Sequence, residues 1–160
     1  LPIRNEFIIK IAKNSVDQGR RVLILTDRRE HCQFLLSNLG TKLSGLYYGG
    51  LKESELEESS QKKIIIGTFA MAQEGLDIPV LDTIILASPK SDITQAIGRI
   101  MRETPGKLNN PLIYDIADHW SVFHAMARKR MAVYKAFGFE ISGQEEEKPV
   151  EVFGKGRCLL

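Results

Sequence analysis

With 160 residues, 43% of them hydrophobic and 26% charged, the chain holds enough apolar material for one domain with its own core, so disulfide or metal staples are not required. Its 22 Lys and Arg against 20 Asp and Glu leave a net charge of +2, which excludes a polycationic nucleic-acid coat. Contact with nucleic acid would have to come from local placement of charge or from backbone amides.

Taken in chain order, apolar and polar segments alternate. Ile3, Phe7, Ile8, Ile11 and Val16 recur at helical spacing, and Gly19 closes the pattern, so a helix is predicted over 3–18. Residues 22–25 are continuously apolar, the mark of a strand buried on both faces. Cys32, Leu35, Leu36 and Leu39 predict a helix over 28–39, with Thr26 or Asp27 as its cap and Gly40 as its stop. Residues 43–48 form a weaker strand ending in Gly49-Gly50, and the polar, acidic stretch 51–60 reads as an exposed helix. Further strands are predicted at 63–67, 83–87 and 112–116, with helices at 69–74, 92–102 and 119–137 and a loop at 103–110. From 141 onward Gly, Pro and a run of Glu145–Glu147 predict a polar tail, so the domain is bounded at 1–140.

Buried strands alternating with helices predict an α/β fold with a mostly parallel sheet. Such sheets bind ligands beyond the carboxyl ends of their strands, here just after 25, 48, 67, 87 and 117.

Three constellations fall at those places. On a helix, Gln95, Gly98, Arg99 and Arg102 share one face, while Ile93, Ile97 and Ile100 point the other way into the core. Paired guanidinium forks beside a glycine suit a polyphosphate; a solvated basic helix face has the same spacing. After the strand at 63–67, Thr68 opens a helix, Gly75 permits an unusual turn, and Asp77 is placed to accept from ribose hydroxyls; a plain strand–helix–turn linkage would look alike. After the first strand, Thr26 and Arg28 are placed to touch a nucleic-acid backbone, or simply to start a helix. Gly49-Gly50 is a turn or a place of close backbone approach. Arg128, Lys129, Arg130 and Lys135 give the long helix 119–137 positive charge without a single acid, read as exposed charge that complements the helix dipole. His31, His119 and His124 have no metal-ligand spacing and are assigned to capping or core; no metal site is expected. Cys32 and Cys158 form no C-x-x-C pair, which excludes a zinc ribbon or dithiol motif and makes an intracellular, reducing compartment the expectation. No apolar run approaches the ~20 residues that cross a bilayer, so no membrane partner is expected.

The order of these motifs is more specific than any one of them. A strand ending Thr-Asp-Arg, a strand ending Gly-Thr followed by Gly-Leu-Asp-Ile-Pro, and then Gln-x-x-Gly-Arg-x-x-Arg resembles the second RecA-like lobe of superfamily 2 helicases and translocases. Residues 23–28 resemble motif IV, 67–79 motif V and 95–102 motif VI. The closing stretch, Leu112–Asp118 with the basic helix and Tyr134–Phe139, is similar to helicases of phages and large cytoplasmic DNA viruses. That likeness implies a host-cytoplasm or virion location and a three-layer fold.

The resemblance also implies roles. Arg102 becomes the arginine finger, Arg99 its companion on the terminal phosphate, and Gln95 a nucleotide sensor. Gly75 and Asp77 link the nucleotide to the strand; Thr68, Thr26, Arg28, Gly49 and Gly50 contact the strand's backbone. The cofactors implied are ATP and Mg2+, and the partners are an N-terminal RecA-like lobe and DNA or RNA; no oligomer is implied. The G-x-x-x-x-G-K-S/T loop and the Asp-Glu segment that hold phosphates and magnesium are missing from these 160 residues, so the resemblance places them upstream and makes the lobe inactive alone. Two alternatives remain at this point: a non-catalytic α/β scaffold that binds nucleic acid or protein, and a self-contained nucleotide or flavin binder, which the lack of a Gly-rich loop after the first strand disfavours.

Overall fold

The computed structural model describes the backbone of residues 2–74, 76–90, 92–101, 109–116, 121–142, 149–153 and 157–158, and side chains at these positions except 2, 99, 121–125, 142, 149–153 and 157–158. The apolar runs become strands β1 (Val22–Thr26), β2 (Ser44–Tyr47), β3 (Ile64–Thr68), β4 (Thr83–Leu86) and β5 (Leu112–Ile116). They pair in the order β2-β3-β1-β4-β5, every pair parallel. Helices α1 (Pro2–Asp17), α2 (Arg29–Leu39), α3 (Glu53–Ser60), α4 (Phe69–Glu74), α5 (Thr94–Ile100) and α6 (Ser121–Ala136) fill the connections.

The strand period of two splits the core into two layers. Leu23, Leu25, Ile65, Ile84, Leu86 and Ile113 pack with α4, α5 and Tyr134 of α6. Val22, Ile24, Ile64, Ile66 and Ile85 pack with Ile8, Ile11 and Ala12 of α1 and Cys32, Leu35 and Leu39 of α2. The expected three-layer α/β architecture is therefore present. Two close approaches fix β2 against its neighbours. A Cβ on Gly67 would stand 2.7 Å from the Tyr47 carbonyl oxygen, and one on Gly45 would stand 2.7 Å from the Ser59 Cα, so both positions exclude any side chain.

Two parts of the sequence behave otherwise than expected. The polar tail is partly sheet: β6 (Glu140–Ser142), β7 (Pro149–Phe153) and β8 (Arg157–Cys158) join antiparallel, with β7 lying along β5. Without β7, β5 would leave a row of backbone donors and acceptors unpaired, and Val150-Glu151-Val152 has the alternation a strand needs. The surrounding Gly and Glu residues hid that signal. Arg130, grouped above with exposed basic residues, is 2% exposed. Its Nε and Nη2 donate to the Asp115 carboxylate at 2.6 and 2.8 Å, and Nη1 donates to the Lys90 carbonyl at 2.7 Å. The Tyr134 hydroxyl donates to the same carboxylate at 2.5 Å. Burial alone would lower the Arg130 pKa, but these bonds hold it above its ordinary value.

This cluster ties α6 to β5 and to the loop before α5. Removing one partner strands a buried charge, which typically costs about 3–5 kcal/mol. Arg130→Ala and Asp115→Ala should each lose stability on that scale in urea melts, whereas Arg128→Ala, at an exposed position, should stay within about 0.5 kcal/mol of the unmodified chain.

Candidate nucleotide and nucleic-acid edge

Because β1 to β5 are parallel, their carboxyl ends meet at one edge. Thr26 and Thr68 end adjacent strands in direct register, yet their hydroxyls do different things. Thr26 is fully buried, and its hydroxyl lies 2.8 Å from His31 Nδ1 and 2.9 Å from Ser88 Oγ. His31 Nε2 lies 2.8 Å from Asn5 Oδ1, and the Asp27 amide donates to Ser88 Oγ at 3.3 Å. One consistent assignment of protons runs through all four bonds. His31 is neutral and donates from Nε2 to Asn5; Thr26 donates to Nδ1; Ser88 donates to Thr26 and accepts from Asp27. Burial, with Arg4 nearby, lowers the His31 pKa and favours that neutral form. The Thr26 hydroxyl therefore faces inward, and it does not cap α2. The N-cap residue is Arg28, exposed and without a side-chain capping bond.

Thr68 keeps a donor available. Its hydroxyl oxygen accepts the Met71 amide at 3.3 Å and so caps α4, while the hydroxyl proton meets no acceptor among the described residues. Next to it, Gly49 and Gly50 are exposed after β2, and Gly50 has φ +96°, a left-handed conformation that glycine adopts without strain. Asp77 is exposed on the same edge, and burial followed by the charges of Glu57 and Asp77 raises the Tyr47 phenol pKa.

Helix α5 presents the face expected of it. Ile93, Ala96, Ile97 and Ile100 are buried, while Gln95 and Gly98 are exposed. The helix begins where the Asp92 carboxylate accepts the Thr94 amide at 3.1 Å, a bond that lowers the Asp92 pKa. A Cβ on Gly98 would meet nothing within 4 Å. The backbone of Arg99 lies in α5, but its side chain, Gly75, Arg102 and His119 fall outside the described residues, as does the side chain of His124.

The crevice where the strand order reverses, between β1 and β4, is filled. The Thr26–Ser88 bond crosses it, and Arg4 Nε donates to the Ala87 carbonyl at 3.2 Å. A self-contained nucleotide or flavin binder of the doubly wound type needs that space. Sequence reasoning missed Asn5, Ser88 and Arg4, because single polar residues on different elements carry no spacing signal. Cys32 is buried and its thiol is pushed up to about 12, so it stays protonated and unreactive.

The family of the helicase conserved C-terminal domain matches residues 4–104. The chain belongs to that family. A mimivirus protein (Acanthamoeba polyphaga mimivirus) named as an ATP-dependent RNA helicase is 38% identical to this helicase C-terminal domain over 120 residues, 72% of the chain and 23% of the relative. A protein of Escherichia phage T5 named as a helicase is 31% identical over 163 residues, 94% of the chain and 36% of the relative. The chain thus spans about a quarter to a third of the length of these relatives. In shape it is similar to the C-terminal domain of the DEAD-box protein Dbp5 (TM-score 0.61, 18% identity, 86% of this chain and 80% of that one). It is likewise similar to T4 UvsW (TM-score 0.62, 16% identity, all of this chain and 35% of that one). The resemblance to viral and phage helicases read from the sequence holds. Among the described residues no group of three His, Cys, Asp or Glu is placed to hold a metal ion, and no helix is long and apolar enough to cross a membrane.

The half-buried His31 makes the domain's stability depend on pH. With the folded pKa of His31 below its unfolded value, the unfolded chain binds the proton more readily. The contribution of the neutral relay is therefore present above about pH 6.5 and is lost as pH falls through the folded pKa. Melting wild-type and His31→Gln domains between pH 8 and pH 5 (roughly the window of imidazole titration) should show a steeper fall for wild type; parallel curves would contradict the neutral assignment.

Proposed function

We propose that this domain is the second motor lobe of an ATP-dependent nucleic-acid helicase or translocase, joined in the whole protein to an N-terminal RecA-like lobe. The observation that carries the reading is Gly98. A glycine in the middle of a helix costs roughly 1 kcal/mol relative to alanine, and here packing among the described residues gives no reason for it. The space it leaves lies on the exposed face that also holds Gln95, with Arg99 next in the helix. A partner that comes against this face would supply the missing reason.

On that reading the first lobe holds the phosphates and Mg2+ of ATP, and hydrolysis there supplies the free energy for movement. From this lobe, Arg99 and Arg102 bring guanidinium forks to the phosphate oxygens and offset charge that develops as the terminal phosphoryl departs. Gln95 senses the nucleotide. Gly75 and Asp77 connect the nucleotide to the strand through its ribose. Thr68 donates its free hydroxyl proton to a strand phosphate, joined by Arg28 and the Gly49–Gly50 turn. The inward-facing Thr26 holds the end of β1 rather than the strand. Contacts confined to the backbone give little sequence preference and strong salt sensitivity, and they suit DNA and RNA alike. Each closing and opening of the cleft then shifts the grip along the strand. Half a phosphate site does not turn over, so the 160-residue chain alone should have no ATPase activity.

The deciding experiment is an ATPase assay of the full-length protein with single- and double-stranded DNA and RNA as stimulators. Stimulated turnover is expected, and Arg102→Ala should lower it about 10³-fold or more, the scale of arginine-finger loss, without loss of folding. Absence of ATPase with all four nucleic acids would favour the scaffold alternative; wild-type turnover in Arg102→Ala would remove that residue from the mechanism. Gly98→Ala separates fold from function: it should stabilise the isolated domain by up to about 1 kcal/mol in thermal melts while lowering turnover of the full-length protein.

A further inference from the structure

Arg29, one residue beyond the positions that the motif order singles out, is held in place on the carboxyl edge. Its guanidinium carbon lies 5.3 Å from the centroid of the Tyr48 ring. That ring is itself fixed: Tyr48 is 6% exposed, and its hydroxyl accepts from Gln33 Nε2 at 3.1 Å. The same guanidinium lies beside the turn that follows β2. Its Nη1 stands 3.4 Å from where a Cβ on Gly50 would be, and its Nη2 stands 3.7 Å from the corresponding point on Gly49. A Cβ at either glycine would touch the guanidinium only at ordinary contact distance; it is the positive φ at Gly50 that keeps any other residue from replacing it at low cost. Arg29 is exposed to solvent, and no carboxylate among the described residues pairs with it.

An exposed guanidinium placed over an aromatic ring, with no counter-charge among the described residues, is suited to hold an anion. The planar N–H fork of a guanidinium fits the two non-bridging oxygens of a phosphodiester. The location agrees with a strand-contacting role. Arg29 follows β1 but reaches the end of β2, one strand spacing, about 5 Å, from the end of β3, where the Thr68 hydroxyl proton is available. We propose that Arg29, seated on Tyr48 and the Gly49–Gly50 turn, binds a phosphodiester of the nucleic-acid strand. The proposal rests on the strand-binding reading of this edge. It also places the Gly49–Gly50 turn beside the arginine as well as beside the strand.

The test measures binding of fluorescein-labelled single-stranded DNA and RNA to the full-length protein across a salt series. Arg29→Ala should weaken binding about fivefold to tenfold at low salt and reduce the slope of log K against log salt by about 0.7, the value of one single-strand phosphate contact. Arg29→Lys should keep the slope but not the full affinity, because charge survives without the flat fork. Gly50→Ala, which strains the left-handed turn beside the guanidinium, should weaken binding in the same direction as Arg29→Ala, and the double variant should be no weaker than Arg29→Ala alone. Wild-type affinity and slope in Arg29→Ala would overturn the assignment while leaving the edge as a strand site. A full-length protein that binds neither DNA nor RNA would instead overturn the reading on which the assignment rests. An Arg29→Ala protein that keeps strand affinity but has a raised KM for ATP would place the guanidinium against a carboxylate of the other lobe, and would also overturn it.

Discussion

A parallel strand cannot return to its neighbour through a tight turn; each needs a crossover that brings the chain back to the starting edge. Five parallel strands therefore deliver five carboxyl ends to one side of the molecule, and the residues that follow them are neighbours wherever they fall in the sequence. Thr26, Tyr48, Thr68 and Ala87 are spread over more than sixty positions, yet they stand along one rim because of this constraint. Every contact at the candidate site inherits its position from the sheet, and the sheet is set by runs of Ile, Val and Leu that are buried on both faces. The amino edge, by contrast, is closed by structural bonds. Asp82 there accepts from the Arg21 amide at 3.2 Å and from Thr83 at 2.8 Å, and Arg21 Nη2 donates to the Lys62 carbonyl at 2.8 Å.

Two polar networks fix the helices that flank the rim. The Asp115–Arg130–Tyr134 cluster holds α6 to β5 and reaches the Lys90 carbonyl, two residues before the Asp92 turn that starts α5. The Asn5–His31–Thr26–Ser88 relay joins α1 and α2 to the ends of β1 and β4. Both are fully bonded, which is the condition for buried polar groups to specify a structure instead of weakening it. Their combined effect is directional. The β1–β4 crevice is closed, and α5 and the β2–β3 end are left as the exposed parts of a rigid rim. A guanidinium or hydroxyl on a rigid element meets a phosphate with less loss of freedom than one on a loop, so on the proposed reading the networks would matter to binding although neither needs to touch a ligand.

The fold was legible to within a residue or two at almost every element, because the information lies in continuous apolar runs and in helical spacing, and both are local. Helix 69–74 and strand 112–116 appear with the bounds read from the sequence. The failures are all non-local. Arg130 looks like its neighbours Arg128 and Lys129 until α6 is laid on β5 and Asp115 comes within 2.6 Å. Residues 149–153 look like tail until an unpaired β5 edge is beside them. At the candidate site, the motif order located the rim but not the direction of its side chains. Thr26 and Thr68 follow strands of the same kind and are equivalent in sequence terms; only the histidine five positions after Thr26 turns its hydroxyl inward. Arg28 and Arg29 are likewise indistinguishable in sequence, and an aromatic ring nineteen residues beyond Arg29 separates them.

The positions where this chain departs from what its own stability would select are instructive as a group. Among the described residues, Gly98 weakens a helix without relieving any crowding, Arg29 has no counter-charge, and Thr68 keeps a hydroxyl proton without an acceptor. A sequence that folds consistently at every other level and breaks local rules at a few places marks those places as answering to something outside it. Arg29 and Thr68 lie at the carboxyl side of the sheet and Gly98 on the exposed face of α5, and each lacks a different thing: negative charge, a hydrogen-bond acceptor and volume. On the proposed reading, a polyanionic strand would supply the first two, and the face of a second lobe would supply the last. The rim is therefore better described as one side of an interface than as an enclosed pocket, which accords with a chain that covers only a part of the length of the helicases it resembles.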